Sequence, residues 1–301
     1  MKGTRKPSTP WPKGARCAVM LTFDFDAETL WLARDPTSTD LPGVMSQGRY
    51  GARVGVPRLL ALLRAEGVRA TFYIPGWVVE HHAGAARLIR DAGHEIGHHG
   101  WRHDWARPDD PDGERAAFEQ GMRALEGVLD VKPRGFRAPA WELTPITLDL
   151  VRQHGMFHSS NLMNDVYPYL HPGTPPVVEL PVQWVLDDAP YFLMHPRLAP
   201  RPMQSPEVVF GIWRDEFRGF YEWGGLFNLT CHPQVIGHPS RLLMLRRLIR
   251  FLKRHRGVWW ATASEVASHW LDAYFSTGKP TMLPHSVQEP SYTRTLFQPS
   301  R

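Results

Sequence analysis

Cysteine is almost missing: the 301-residue chain has two, Cys17 and Cys231. Both stand inside apolar, strand-like runs. That excludes a disulfide framework and fits a reducing compartment. Long hydrophobic runs are missing too. The apolar stretch that starts at Cys17 stops at Asp24, far short of the roughly 20 residues that cross a bilayer, and no small-residue cleavage site follows it. The expectation is a cytoplasmic protein with no membrane partner. There is no Gly-x-Ser-x-Gly elbow and no Gly-x-x-x-x-Gly-Lys loop, so serine hydrolases and P-loop enzymes are excluded. No internal repeat or low-complexity tract is present.

What is there suits a globular enzyme. The apolar share of 43% is ordinary, and the length allows one large α/β barrel or two small domains. The net charge of +5 comes mostly from dispersed arginine. Its densest stretch, Arg241 to Arg256, also carries Leu242, Leu245, Leu248, Ile249 and Leu252 at helical spacing. That reads as the solvated face of an amphipathic helix rather than a nucleic-acid or anionic-glycan surface. No nucleic-acid partner is expected.

Strand-like and helix-like segments alternate along the chain. Strands are expected at Ala18–Phe25, Arg69–Ile74, His94–His98, Gly135–Ala138, Val177–Val185, Leu226–Thr230 and Val258–Ala261. Helices are expected at Pro57–Glu66, Ala83–Asp91, Gly113–Leu129, Pro145–Gln153, Pro206–Tyr221, Ser240–His255 and Ser264–Tyr274, the last capped by Ser264. About seven β-then-α units in one domain predict an irregular (β/α) barrel. Residues 1–15 read as an extended arm, 16–275 as the domain and 276–301 as a polar tail. Trp31–Val54 reads as a long Gly-rich loop, a lid or an oligomer contact. A homo-oligomer, dimer or tetramer, is expected.

The chemistry-bearing residues recur at strand ends. Asp24 and Asp26 end the first strand, and His99 and His103 follow the third. Arg137 ends the fourth, Asp187 and Asp188 follow the fifth, and His232 follows the sixth. In an α/β barrel these positions converge on one face. Asp26, His99 and His103 make a two-imidazole, one-carboxylate set with open positions, as metal-assisted hydrolysis needs. Asp24 would be a spare carboxylate beside the water. His98 in a shifted frame is the alternative ligand, and His94 reads as structural. Zinc is the first choice, with Fe, Co, Ni or Mn compatible with the same donors. Trp101, Trp141 and Trp184 flank these residues and either line a pocket or pack.

Together these segments resemble the NodB-homology polysaccharide deacetylases, carbohydrate esterase family 4. Thr22-Phe-Asp-Phe-Asp26 resembles the first motif of that family, His99-Gly-Trp-Arg-His103 the second and Arg137-Ala-Pro-Ala-Trp141 the third. Leu180–Asp188 looks like a variant of the fourth, and Leu229-Thr-Cys-His-Pro233 matches the fifth. In most members the two aspartates of the first motif are adjacent, whereas here Phe25 separates them. That spacing, the Trp31–Val54 segment and the Gln234-Val-Ile-Gly-His-Pro-Ser-Arg241 stretch resemble the subgroup of peptidoglycan deacetylase-like proteins, allantoinases and cyclic imide hydrolases.

The resemblance implies a NodB-like barrel and one divalent ion on Asp26, His99 and His103. It implies Asp24 as base, oriented by Arg137, and His232 as acid, supported by Asp187 or Asp188. It also implies hydrolysis of a non-peptide C–N bond, by removal of N-acetyl groups from amino sugars. The alternatives are a cytoplasmic hydrolase of small amides or imides and, from another class, an inactive metal-bearing glycan-binding module. A two-histidine, one-carboxylate iron oxygenase is disfavoured by the β-then-α order and by the additional Asp and His.

Overall fold

The computed structural model describes residues 10–277. Strand β1 (Cys17–Asp24) is buried along its whole length, as an unbroken apolar run inside a parallel sheet must be. The further strands are β2 (Thr71–Ile74), β3 (Glu95–His98), β4 (Gly135–Phe136), β5 (His158–Ser159), β6 (Tyr169–His171), β7 (Val177–Glu179), β8 (Leu226–Cys231) and β9 (Val258–Trp260). The order across the sheet is β6-β7-β5-β4-β3-β2-β1-β8, with β9 also paired to β1. All pairings are parallel except β6 with β7.

β1 is the hub of the sheet. One edge is filled by β8, and the other is shared between β9 beside Cys17–Val19 and β2 beside Thr22–Asp24. After β7 the chain crosses to the free edge of β8, where Asp187 bridges Thr230. The sheet is therefore curled, with its two ends brought together at that bridge. This is the irregular (β/α) barrel in a single domain that the element order predicts, with nine strands among the described residues where about seven units are expected.

Strand alternation sorts the side chains of β1. Cys17, Val19, Leu21 and Phe23 pack outward into the large helical core. Ala18 and Met20 join Val178, Leu180 and Leu226 in a second cluster, with Val266, Ala267 and Trp270 of the Ala263–Thr277 helix. That helix seals the N-terminal end of the barrel. Further along the same face of β1 come Thr22 and Asp24, where the polar site begins.

Glu95 ties the closing helix to the sheet. Its carboxylate accepts from Ser264 N, Ser264 Oγ and Thr71 Oγ1. Burial alone would raise its pKa, but hydrogen bonds with His158 and Ser264 outweigh it and hold the group at about 2. A depressed carboxyl stabilises the fold above its unfolded pKa of about 4.3 and loses that contribution as pH falls through the folded value. We expect Glu95→Gln to flatten the loss of thermal stability between about pH 4 and pH 2. A melting series showing the same acid slope in both proteins would contradict this.

Several expectations are corrected. Trp31–Val54 is not a loop. It holds the helices Thr29–Leu32 and Pro42–Tyr50 and a π-turn at Gly51–Gly55 that runs into the helix Val56–Ala65. Its glycines allow close approach. A Cβ at Gly48 would lie 2.5 Å from the Glu28 backbone, and one at Gly51 would lie 2.9 Å from Gln234 Cβ. The segment therefore packs on the chain's own loops after β1 and β8. The fifth expected strand, Val177–Val185, is paired only over Val177–Glu179, and Trp184–Leu186 forms a 3-10 turn.

The closing helix is capped differently from the expectation: Glu265 reaches back to Thr262 N, and Ser264 serves Glu95 instead. Of the expected arm, 1–9 lie outside the described residues. Trp11 is buried, with its indole N–H donating to Gly224 O. Of the expected tail, 278–301 lie outside the described residues, and Ser276 and Thr277 end the closing helix. Among the described residues no helix is long and apolar enough to cross a membrane.

Candidate active site

The site assembles at the C-terminal ends of the strands. Asp24 is the last residue of β1 and Asp26 lies two further on, so extended backbone turns both carboxylates to one side and Phe25 to the other. Phe25 is fully buried in the helical core. The interrupted Asp-Phe-Asp is thus the spacing that brings both carboxylates to the lumen.

Asp24 Oδ1 accepts from Arg137 Nη1 at 2.8 Å. The Arg137 guanidinium is fully buried and also donates to Thr22 Oγ1, Ser160 O and Ser160 Oγ. It lies 4.3 Å over the Tyr73 ring. One cation is thereby fixed by four acceptors and an aromatic face, and it fixes the direction of Asp24 in turn.

The backbone of Arg137 acts as well. Its carbonyl accepts from His99 Nδ1 at 2.5 Å. That bond sets the tautomer and leaves Nε2 as a lone-pair donor. His99 Nε2 lies 3.4 Å from Asp26 Oδ1, and His103 Nε2 lies 3.7 Å from Asp26 Oδ2. The three residues offer ligand atoms within 4.8 Å of one another, all buried. Asp26 Oδ1 and His99 Nε2 have no hydrogen-bond partner among the described residues. Buried polar atoms are normally paired, so a carboxylate oxygen and an imidazole nitrogen left facing each other fit a cation between them. The His98 alternative fails. Its Nε2 binds Phe118 O and its Nδ1 accepts from Gly100 N, so neither nitrogen is available. His94 is structural, accepting from Ala70 N.

His232 follows β8 on the opposite wall. Asp188 holds it doubly, Oδ1 at 2.6 Å from Nδ1 and Oδ2 at 3.0 Å from the backbone N. Burial would lower the imidazole pKa, but the charges of Asp188 and Asp187 overcome it and raise the value well above 6.5. His232 Nε2 points to Asp26 Oδ2, 3.7 Å away. Asp187 is less engaged: Oδ1 accepts from Ala189 N and lies 3.8 Å from His232 Nδ1. Burial lifts its carboxyl to about 7. Asp187, Asp188 and His232 are also close enough to chelate an ion, but both Asp188 oxygens are already used on His232.

Of the tryptophans, Trp141 is buried against Trp184, ring centroids 4.3 Å apart, and Trp184 is 47% exposed at the rim. Trp101 lies between His99 and His103 in the sequence and lines a separate cavity of about 280 Å³ with Trp105, Asp104 and Pro139. A larger cavity of about 670 Å³ lies at the other end of the barrel, between Pro12–Ala15 and the closing helix, and none of these site residues lines it. Ala27, His103, Ala140 and Trp141 all have positive φ. Left-handed backbone at non-glycine residues is costly, and here it gathers around the site.

Sequence reasoning gave no role to Thr22 or Gln234, which it met only inside quoted motifs, and did not single out Ser160, Asn161 or Asn228. Thr22 and Asn228 share lumen-facing positions with Asp24 and Thr230, which strand alternation could have found. Asn161 accepts from Ala138 N and is itself held at its backbone by Glu179. No local pattern marks Ser160 or Asn161.

This lumen of carboxylates and imidazoles on a curled parallel sheet has counterparts among known proteins. The chain belongs to the polysaccharide deacetylase family. The family profile described as polysaccharide deacetylase matches residues 14–158. A peptidoglycan deacetylase of Helicobacter pylori is 30% identical over 282 residues, 84% of this chain and 96% of that protein. A solved structure described as a polysaccharide deacetylase of Mycobacterium smegmatis is 36% identical, with a TM-score of 0.86 over 94% of this chain and 99% of that one. The Puue allantoinase shares the fold, at 24% identity and a TM-score of 0.76 over 89% of this chain and 95% of its own.

Proposed function

We propose that the chain is a divalent-metal-dependent hydrolase that removes N-acetyl groups from amino sugars. The observation that carries this is the unpartnered pair Asp26 Oδ1 and His99 Nε2, with His103 beside it, set between the Arg137-held Asp24 and the Asp188-held His232. Asp26, His99 and His103 would hold the ion, zinc by donor type. When bound, such an ion lowers the pKa of water and polarises an amide carbonyl.

Asp24 takes the proton of the attacking water on the carboxylate that Arg137 holds in place. His232 gives its Nε2 proton to the departing nitrogen, which is a poor leaving group until protonated. Asp188 stabilises the charged imidazole and turns Nε2 inward. Arg137 links the two halves, its guanidinium on the base and its carbonyl on a ligand histidine. Trp141 and Trp184 form an aromatic ledge at the mouth suited to a sugar ring.

The 30% identity to a peptidoglycan deacetylase along nearly all of that protein favours an N-acetyl glycan substrate. The small-amide alternative leans on the fold shared with an allantoinase, and a fold fixes no substrate. A purely binding role leaves the orientation of Asp24 and His232 without a use.

Elemental analysis tests the metal. Wild type is expected to carry about one ion per chain and His103→Ala much less, since the site then keeps two of three ligands. Undiminished metal in the variant rejects the ligand set. Release of acetate from N-acetylglucosamine oligomers tests the reaction.

A further inference from the structure

Gln234 has no part in the mechanism above, yet its amide lies inside the site. It stands two residues past His232 in the short Pro233–Ile236 helix and is 5% exposed. Its Nε2 lies 3.4 Å from Asp26 Oδ2, the same oxygen that lies 3.7 Å from His232 Nε2. A carboxylate can only accept, so the amide nitrogen must be the end that faces Asp26. The other end, Oε1, is then fixed beside it. It is buried and has no hydrogen-bond partner among the described residues. Its backbone is closely held: a Cβ on Gly51 would lie 2.9 Å from Gln234 Cβ, and His232 O accepts from Val235 N and Ile236 N.

Gln234 Nε2 and His232 Nε2 thus face one carboxylate oxygen, and the unpartnered acceptor at the other end of that amide invites a donor from the substrate. If His232 protonates the leaving nitrogen, that nitrogen comes to His232 Nε2. The lone pair that receives the proton stands perpendicular to the amide plane, and the N–H lies within the plane. The N–H therefore needs an acceptor beside His232, away from the attacked carbonyl.

We propose that Gln234 Oε1 accepts the N–H of the scissile secondary amide, which makes Gln234 the residue that selects nitrogen over oxygen at the bond to be broken. The inference rests on the hydrolase reading given above. The chemistry balances without any further reactant. The C–N bond breaks, water supplies the hydroxyl that makes the acyl group an acid, and His232 supplies a proton to nitrogen. The N–H read by Gln234 stays in the product amine. An ester presents oxygen lone pairs at the same place. They would face the Oε1 lone pairs, leaving a buried acceptor unpaired, and sites built around such a bond reject the analogue that lacks it.

The test compares metal-loaded wild type, Gln234→Met and Gln234→Glu on a matched pair, an aryl acetamide and the aryl acetate ester with the same ring. Gln234→Met keeps length and loses the acceptor. It should lose roughly tenfold or more in kcat/KM on the amide and change less than about threefold on the ester. Gln234→Glu keeps an acceptor oxygen and should hold the amide-to-ester ratio within about threefold of wild type. Gln234→Ala supplies the acceptor-free reading should the Met variant not fold. Metal per chain, measured apart from turnover, should stay level in all variants, which separates reading the substrate from orienting Asp26. Wild type acting on both substrates, with an unchanged ratio in the Met or Ala variant, overturns the inference alone. Wild type acting on neither, and releasing no acetate from N-acetylglucosamine oligomers, removes the hydrolase reading and the inference with it.

Discussion

Asp24→Asn is expected to fold, keep its metal and lose about 10²–10⁴-fold in turnover, the usual contribution of a general base. Asparagine retains Oδ1, so the bond from Arg137 Nη1 survives. What it lacks is the carboxylate that accepts a proton. The same factor is expected for His232→Ala, whose loss removes the proton for the leaving nitrogen. Acetate release measured alongside metal content decides the matter. Near-wild-type turnover in a metal-loaded Asp24→Asn protein would show that some other group is the base.

The second large effect concerns stability. Arg137→Met should destabilise the fold by about 3–5 kcal/mol, because it leaves a buried carboxylate without its cation. Asp24 is 3% exposed and Arg137 is fully buried, so water cannot replace the lost partner. The substitution also removes the Arg137 hydrogen bonds to Ser160 Oγ and Thr22 Oγ1, which keep their bonds to Leu180 O and Leu229 O. Urea unfolding of wild type and variant, analysed at equal slope, gives the difference. A midpoint shift equivalent to less than about 1 kcal/mol would mean that the lumen relaxes around the gap or admits water.

Much of this was legible in the sequence because period and position carry information. The run Cys17–Asp24 could only be a doubly buried strand, and the residues at successive strand ends could only converge. Asp26, His99 and His103 do come together, as do Asp24 with Arg137 and His232 with Asp188. The choice between Asp187 and Asp188 was not legible, since adjacent residues differ only in the direction their side chains take. The Trp31–Val54 segment misled because glycine has two opposite uses. It breaks helices by its freedom, and it lets a helix approach backbone closely by its size. Only the tertiary partner of Gly48, Gly51 and Gly55 says which applies. Ser160 and Asn161 act through their neighbours in space, and a linear reading has no term for that.

The split edge of β1 has a consequence for the order in which the chain is completed. Asp26, His99, His103 and Arg137 all lie in the N-terminal half, in the segments just after β1, β3 and β4. The partner that fills the full-length edge of β1 is β8, more than two hundred residues later by register, Ala18 against Leu226. During synthesis from the ribosome, a nascent chain can therefore gather Asp26, His99 and His103 long before His232 exists. Throughout that interval β1 offers an unpaired apolar edge, the kind of surface on which chains pair with one another. A truncated product ending before Leu226 would keep Asp26, His99 and His103, lack His232, and be prone to self-association.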